Sequence, residues 1–199
     1  LKPETQYSFK VRSASPGKVS EWKNFSVTTN SDPFEFAVKG MTATCTAPSQ
    51  GGERLAKLFD FDTETGWHTE YGKKAVPFEL VIDMHSVNTL DKLQYLPRRS
   101  GVNGIILEGS VAVSMDKETW TDAGTINWQR DASLKEIVFK DNPQARYVKI
   151  NVTKAYGDFG SGNEIYIFRV AGSTYYVPGD INNDGALDDN DLTSYMNYT

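Results

Sequence analysis

The chain has 199 residues, ordinary apolar content and a net charge of −5, enough for one substantial core with smaller flanking pieces. That charge leaves no basic stripe to neutralise phosphates or an anionic lipid surface, so neither nucleic acid nor membrane is an expected partner. One cysteine and two histidines exclude an internal disulfide, a cysteine zinc cluster and most histidine-based metal catalysis.

No apolar run reaches transmembrane length, and the first residues lack the basic and apolar regions of a signal peptide. The chain opens on Leu1 and reads as an internal piece of a longer protein. Helix-period segments are missing. Strand-like runs recur instead: YSFKVRS, FELVIDM, LDKLQYL, SVAVSM, LKEIVF, RYVKINVT and EIYIFRVAG, each bounded by turn residues. That pattern predicts an all-β chain built as an antiparallel sandwich. Polar, proline-containing breaks at NSDP and GSTYYVP divide it into residues 1–30, 34–172 and 178–199.

In the first segment, Leu1, Pro3, Thr5, Tyr7, Phe9 and Val11 alternate ahead of a Ser20-Glu21-Trp22 turn and a closing strand from Phe25 to Thr29. This resembles the second half of a fibronectin type III domain, with Tyr7 as the corner tyrosine whose hydroxyl ties back to the backbone. Half a sandwich closes no core, so the segment is expected to act as a spacer without a ligand.

The central segment contains LFDFDTETGWHT, in which Asp60 and Asp62 alternate around Phe61 and Thr65 follows. Alternating carboxylates on a tight loop suit a hard cation such as calcium. Asp and Thr also recur in turns that hydrogen-bond their own backbone, and the stretch alone leaves both readings open. Together with FELVIDMHSVNTLDKLQYLPRRSGVNG, VSMDKETW and ARYVKINV…GNEIYIFRVAG, it resembles the coagulation factor 5/8 type C (discoidin) fold, in particular the family 32 carbohydrate-binding modules. The resemblance implies a jelly-roll sandwich of about eight strands. It also implies a structural calcium ion held by the Lys57 carbonyl, Asp60, Asp62, Thr65, the Asn163 carbonyl and Glu164. The family usually has Gly where this chain has Phe61, a costly exchange if that position needs positive φ.

The same resemblance places a sugar site at one loop end: His68, Arg98, Asn103 and Phe159, with Tyr156 as the other candidate ring and Tyr71 on the rim. Planar polar groups would bond hydroxyl pairs, and a ring would stack on the C–H face of a pyranose. Trp67 and Trp120 are assigned to packing; Trp128 fits either a packed hairpin or an exposed platform.

The last segment reads DINNDGALDDND. Asp180, Asn182, Asp184, the Ala186 carbonyl, Asp188 and Asp191 stand at positions 1, 3, 5, 7, 9 and 12 of a calcium loop, with Gly185 at its sharp turn. An Asp at position 12 and no helix ahead of the loop resemble a dockerin repeat followed by one short helix. Dockerins carry two repeats and this chain shows one, so a cohesin partner is not expected of it.

The expected function is a non-catalytic carbohydrate-binding module. It would target a secreted bacterial glycoside hydrolase, of chitobiase type by family analogy, to terminal galactose, N-acetylgalactosamine or N-acetylglucosamine. The alternative is a discoidin-type adhesion domain for protein or membrane. No nucleophile elbow or Ser/His/Asp arrangement is legible, and the chain itself is not expected to be an enzyme. Its setting is expected to be extracellular, cell-surface or periplasmic.

Overall fold

A computed structural model describes residues 1–99 and 101–173; the acidic calcium loop falls outside them. The described chain is all-β apart from two short 3-10 turns. Backbone contacts divide it into two units, Leu1–Phe36 and Ala37 onward.

The first unit is a hairpin. Strand β1 (Gln6–Val11) pairs antiparallel with β4 (Lys23–Thr28), and between them β2 (Ala14–Ser15) and β3 (Lys18–Val19) close over the Pro16-Gly17 turn. Phe9 and Phe25 face each other across the pair and stack at 5.3 Å. The Tyr7 hydroxyl accepts the Lys2 backbone N–H at 2.8 Å, the tie to the main chain expected of it. The apolar residues Phe9, Phe25 and Val27 stay 41–52% exposed, because two strands bury only one side of a side chain.

The second unit holds the core. Its organiser is β7 (Phe78–Leu96), where buried and less buried residues alternate almost throughout. The first half of β7 lies between β5 (Thr42–Cys45) and β11 (Gln144–Ala155), and β11 continues the layer to β8 (Ile106–Ser114) and β9 (Thr121–Asn127). Its second half lies between β10 (Lys135–Val138) and β13 (Glu164–Arg169). One strand therefore serves two layers. The sequence-derived division into FELVIDM and LDKLQYL is corrected: HSVNT carries the strand onward through a bend. His85 sits there at φ 59°, and its N–H is held by the Asp83 carboxylate at 2.7 Å.

Leu80, Ile82, Val148 and Ile150 from one layer meet Leu90, Leu93, Ile165 and Ile167 from the other in one continuous core. Trp67 is buried, as expected. Trp120 is half-buried beneath the Lys149 ammonium, 4.4 Å from its ring. Trp128 resolves as packed, stacked on Tyr95 at 5.4 Å. Cys45 is half-buried against the core, and burial pushes its thiol pKa up.

Candidate functional site

Two short strands build one end of the second unit. Strand β6 (Trp67–His68) pairs antiparallel with β12 (Ser161–Gly162), His68 opposite Ser161. Residues on one side of this ribbon form the Asp-rich turn; residues on the other carry the candidate sugar contacts. Gly160 lets the ribbon press inward: a Cβ there would lie 2.6 Å from Phe78 Cζ and 2.8 Å from the Trp67 ring.

His68 is 3% exposed. Its Nδ1 lies 2.6 Å from the Thr69 carbonyl. A carbonyl only accepts, so Nδ1 carries a proton. Tyr71 meets this imidazole edge-on at 4.9 Å, and Phe159 leans on it at 5.6 Å. Phe159 is half-buried rather than fully exposed. Its loop is held by the Lys74–Asp158 ion pair at 2.7 Å and by the Asp158 carbonyl, which accepts from Ala75 N at 2.7 Å. Asn103 is exposed beside this loop, its carbonyl accepting from Ser161 Oγ at 2.8 Å and its side-chain oxygen 3.4 Å from where a Cβ on Gly157 would stand.

Arg98 is half-buried at the end of β7 and interacts with Tyr71. Arg99 turns to an ion pair with Glu64 and a hydrogen bond to Thr63. The structure thus gathers His68, Tyr71, Phe159, Asn103 and Arg98 at one end. Tyr156 packs its ring face on the Arg130 guanidinium at 4.6 Å.

Glu53 and Gln50 were not singled out from sequence. The Tyr71 hydroxyl donates to Glu53 Oε1 at 2.6 Å, and its backbone N–H donates to Gln50 Oε1 at 2.9 Å. The Glu53 hydrogen bond raises the phenol pKa, assisted by desolvation and opposed by Arg98. Nothing in the spacing of SQGGER announces this brace; the isolated Ser49–Thr69 bridge creates it.

The Asp-rich turn closes on itself. Asp60 accepts from the Asp62 N–H at 3.0 Å and from Thr65 Oγ1 at 2.8 Å, and Asp62 accepts from the Glu64 N–H at 3.0 Å. Phe61 sits at φ 60°, the left-handed conformation that the Gly comparison anticipated, and its ring packs on Tyr166 at 5.5 Å. Lys57 lies in the preceding 3-10 turn, Leu55–Leu58. The Asn163 side chain donates to the Thr63 carbonyl at 2.6 Å, joining the two sequence-distant segments.

Glu164 is 0% exposed, and neither carboxylate oxygen makes a well-formed hydrogen bond, although the Phe61 and Asp62 amides lie close enough to act on it. Burial first, then the adjoining Asp60 carboxyl, pushes its pKa up to about 8, against the amides of Phe61 and Asp62. An orphaned buried carboxylate beside a second one fits a cation site. Among the described residues no three His, Cys, Asp or Glu side chains converge on one point, so an ion would need Thr65 and main-chain carbonyls as well.

Between ribbon and turn opens a polar cleft of about 400 Å³, walled by Glu53, Lys57, Thr65, Arg98, Arg99 and Asn163. The site as a whole can exchange hydrogen bonds with hydroxyls and offer aromatic faces to C–H groups. It shows no nucleophile–base pair.

Comparison with known proteins agrees with this geometry. The family model described as F5/8 type C domain matches residues 42–165. A galactose oxidase of Gibberella zeae is 34% identical over 143 residues, 68% of this chain and 21% of that enzyme. The chain spans about a fifth of the length of the curated relatives it matches. A Clostridium perfringens module solved with GalNAc-β-1,3-galactose (CpGH89CBM32-5) is 28% identical, with TM-score 0.62 over 66% of this chain and 99% of that one. The family 32 module of C. perfringens NanJ, solved with galactose, shares the fold at 24% identity and TM-score 0.63, covering 67% of this chain and 98% of that one.

Proposed function

The chain belongs to the F5/8 type C domain family, and from that premise we propose that its central domain is a non-catalytic carbohydrate-binding module for terminal galactose or N-acetylgalactosamine. The observation that carries the reading is the convergence of His68, Tyr71, Phe159, Asn103 and Arg98 at one end of a rigid sandwich. His68 Nε2 accepts from one sugar hydroxyl and Arg98 donates to its neighbour. Asn103 adds a third polar contact. Phe159 or Tyr71 covers the C–H face of the ring. The solved relative of 28% identity holds a disaccharide made of those two sugars.

Calcium, held by the Lys57 and Asn163 carbonyls with Asp60, Asp62, Thr65 and Glu164, is structural in this reading. It neutralises the buried Glu164 carboxylate and pins the turn to β13, so the β6–β12 ribbon keeps its place. The acidic loop from Asp180 to Asp191 is a second calcium site of dockerin type. Residues 1–30 are a fibronectin-like spacer. The parent is a secreted glycoside hydrolase, and the module raises its local concentration at a glycan surface.

A shallow site with few hydrogen bonds and one ring exchanges protein contacts for water contacts, so the expected dissociation constant lies at roughly 10 μM to 1 mM. A glycan array on the whole chain, with and without chelator, tests the reading. Terminal galactosides should bind, chelator should weaken binding, and Arg98→Ala should abolish it at unchanged melting temperature, while His68→Ala should abolish it with a lowered midpoint because its ring is buried. Retained binding in both variants places the sugar elsewhere. Binding to liposomes instead of glycans returns the adhesion alternative.

A further inference from the structure

The cleft of about 400 Å³ beside the ring cluster is not used by a single terminal sugar gripped at His68. It shares Arg98 with that site and reaches Glu53, which holds Tyr71. A ligand seated at His68 and extended by one more residue toward Arg98 enters it. Its volume falls within the range of small-ligand clefts. No aromatic side chain lines it, so a second sugar would be held through polar groups rather than by stacking.

The charges in its wall decide which polar groups. Three cations, Lys57, Arg98 and Arg99, face two anions, Glu53 and Glu64. Glu64 is neutralised by Arg99, whereas Glu53 keeps its charge, since the Tyr71 hydroxyl that donates to it is neutral; Lys57 and Arg98 together still outweigh it. Among the described residues neither Lys57 nor Arg98 has a carboxylate within ion-pair distance. A locally cationic cleft on a chain of net charge −5 is a local arrangement, not a consequence of overall composition.

We propose that this cleft is a second subsite, selecting glycans in which the sugar next to the terminal galactose-type residue carries a carboxylate or sulfate, bound by the Lys57 ammonium and the free side of the Arg98 guanidinium. The inference rests on the terminal-sugar reading above. It adds selectivity for what that sugar is attached to. Arg98 bridges the two subsites, donating to a hydroxyl on one side and to the anion on the other, as its forked donors allow.

The test compares two probes with the same terminal β-galactose, lactobionate (an anionic aglycone) and lactitol (a neutral one), by calorimetric titration of the whole chain in saturating calcium. Gluconate alone controls for calcium withdrawal. At about 20 mM salt lactobionate should bind about three- to tenfold tighter than lactitol, and at about 0.5 M salt the two should converge through screening. In Lys57→Gln the lactobionate-to-lactitol ratio should fall to near one. In Glu64→Gln, which frees Arg99, it should rise. Equal affinities in the unmodified chain, or a preference that survives Lys57→Gln, overturn this inference while leaving the terminal-sugar site standing. Failure of both galactosides to bind overturns both.

Discussion

Single side chains at this end of the domain are placed by what surrounds them rather than by their neighbours in sequence. His68 could serve as a surface turn residue on composition alone. Burial between two rings and the Thr69 carbonyl instead fix a proton on its Nδ1. Phe61 accepts an unfavourable backbone conformation in a turn whose Asp60 and Asp62 side chains are both engaged. A comparable local logic operates at the β7 bend, where the Arg146 guanidinium binds Asp83 through two nitrogens at 2.9 and 3.0 Å. Desolvation raises the Asp83 pKa, but the Arg146 hydrogen bonds and the His85 N–H outweigh it and the net shift is downward. A depressed carboxylate contributes stability above its unfolded value of 3.8 and loses it as pH falls through the lower folded value. Asp83→Asn should therefore cost about 0.5–1 kcal/mol at neutral pH, discounted for partial exposure. That gap should begin to narrow as pH falls below 3.8 in urea titrations. A gap that does not narrow as the solution is acidified would show that the pair acts through packing alone.

At the level of elements, alternation made the long strands legible. FELVIDM and RYVKINVT bury every second residue and lie within strands, whereas EIYIF is buried on both faces, the continuously apolar kind of strand. The two-residue strands of the β6–β12 ribbon have no period to read, and long-range pairing alone creates them. β9 was missed because TDAGTIN offers a single buried residue, Ile126. The ribbon also joins the two candidate sites mechanically: the Asp-rich turn ends at β6, and Glu164 follows β12 after one residue. Gly160→Ala tests how tightly that ribbon is packed. Its methyl group would overlap rigid Phe78 and Trp67 rings, at an expected cost of about 1–3 kcal/mol. Sugar affinity should fall with it, since Phe159 and Thr69 flank the displaced backbone. Unchanged denaturation and binding would mean that the ribbon yields freely and does not position the site.

For the whole molecule, the two-unit division and the location of the core predict that residues 37–173 keep the thermal midpoint and sugar affinity of the full chain. A loss of more than about 4 °C, roughly 1 kcal/mol for a domain of this size, would mean that the flanking segments contribute to its stability. By itself the sequence determined the all-β class and the order of the long strands. Alternating burial and turn chemistry are local properties and need no partner to be read. Only the tertiary structure decided that β7 is one bent strand shared by two layers, that Tyr71 is braced by Glu53, that Tyr156 turns to Arg130, and that a charged cleft adjoins the ring cluster. Each of these depends on contacts between segments tens of residues apart, where the chain's path in space, not its local pattern, sets which side chains meet.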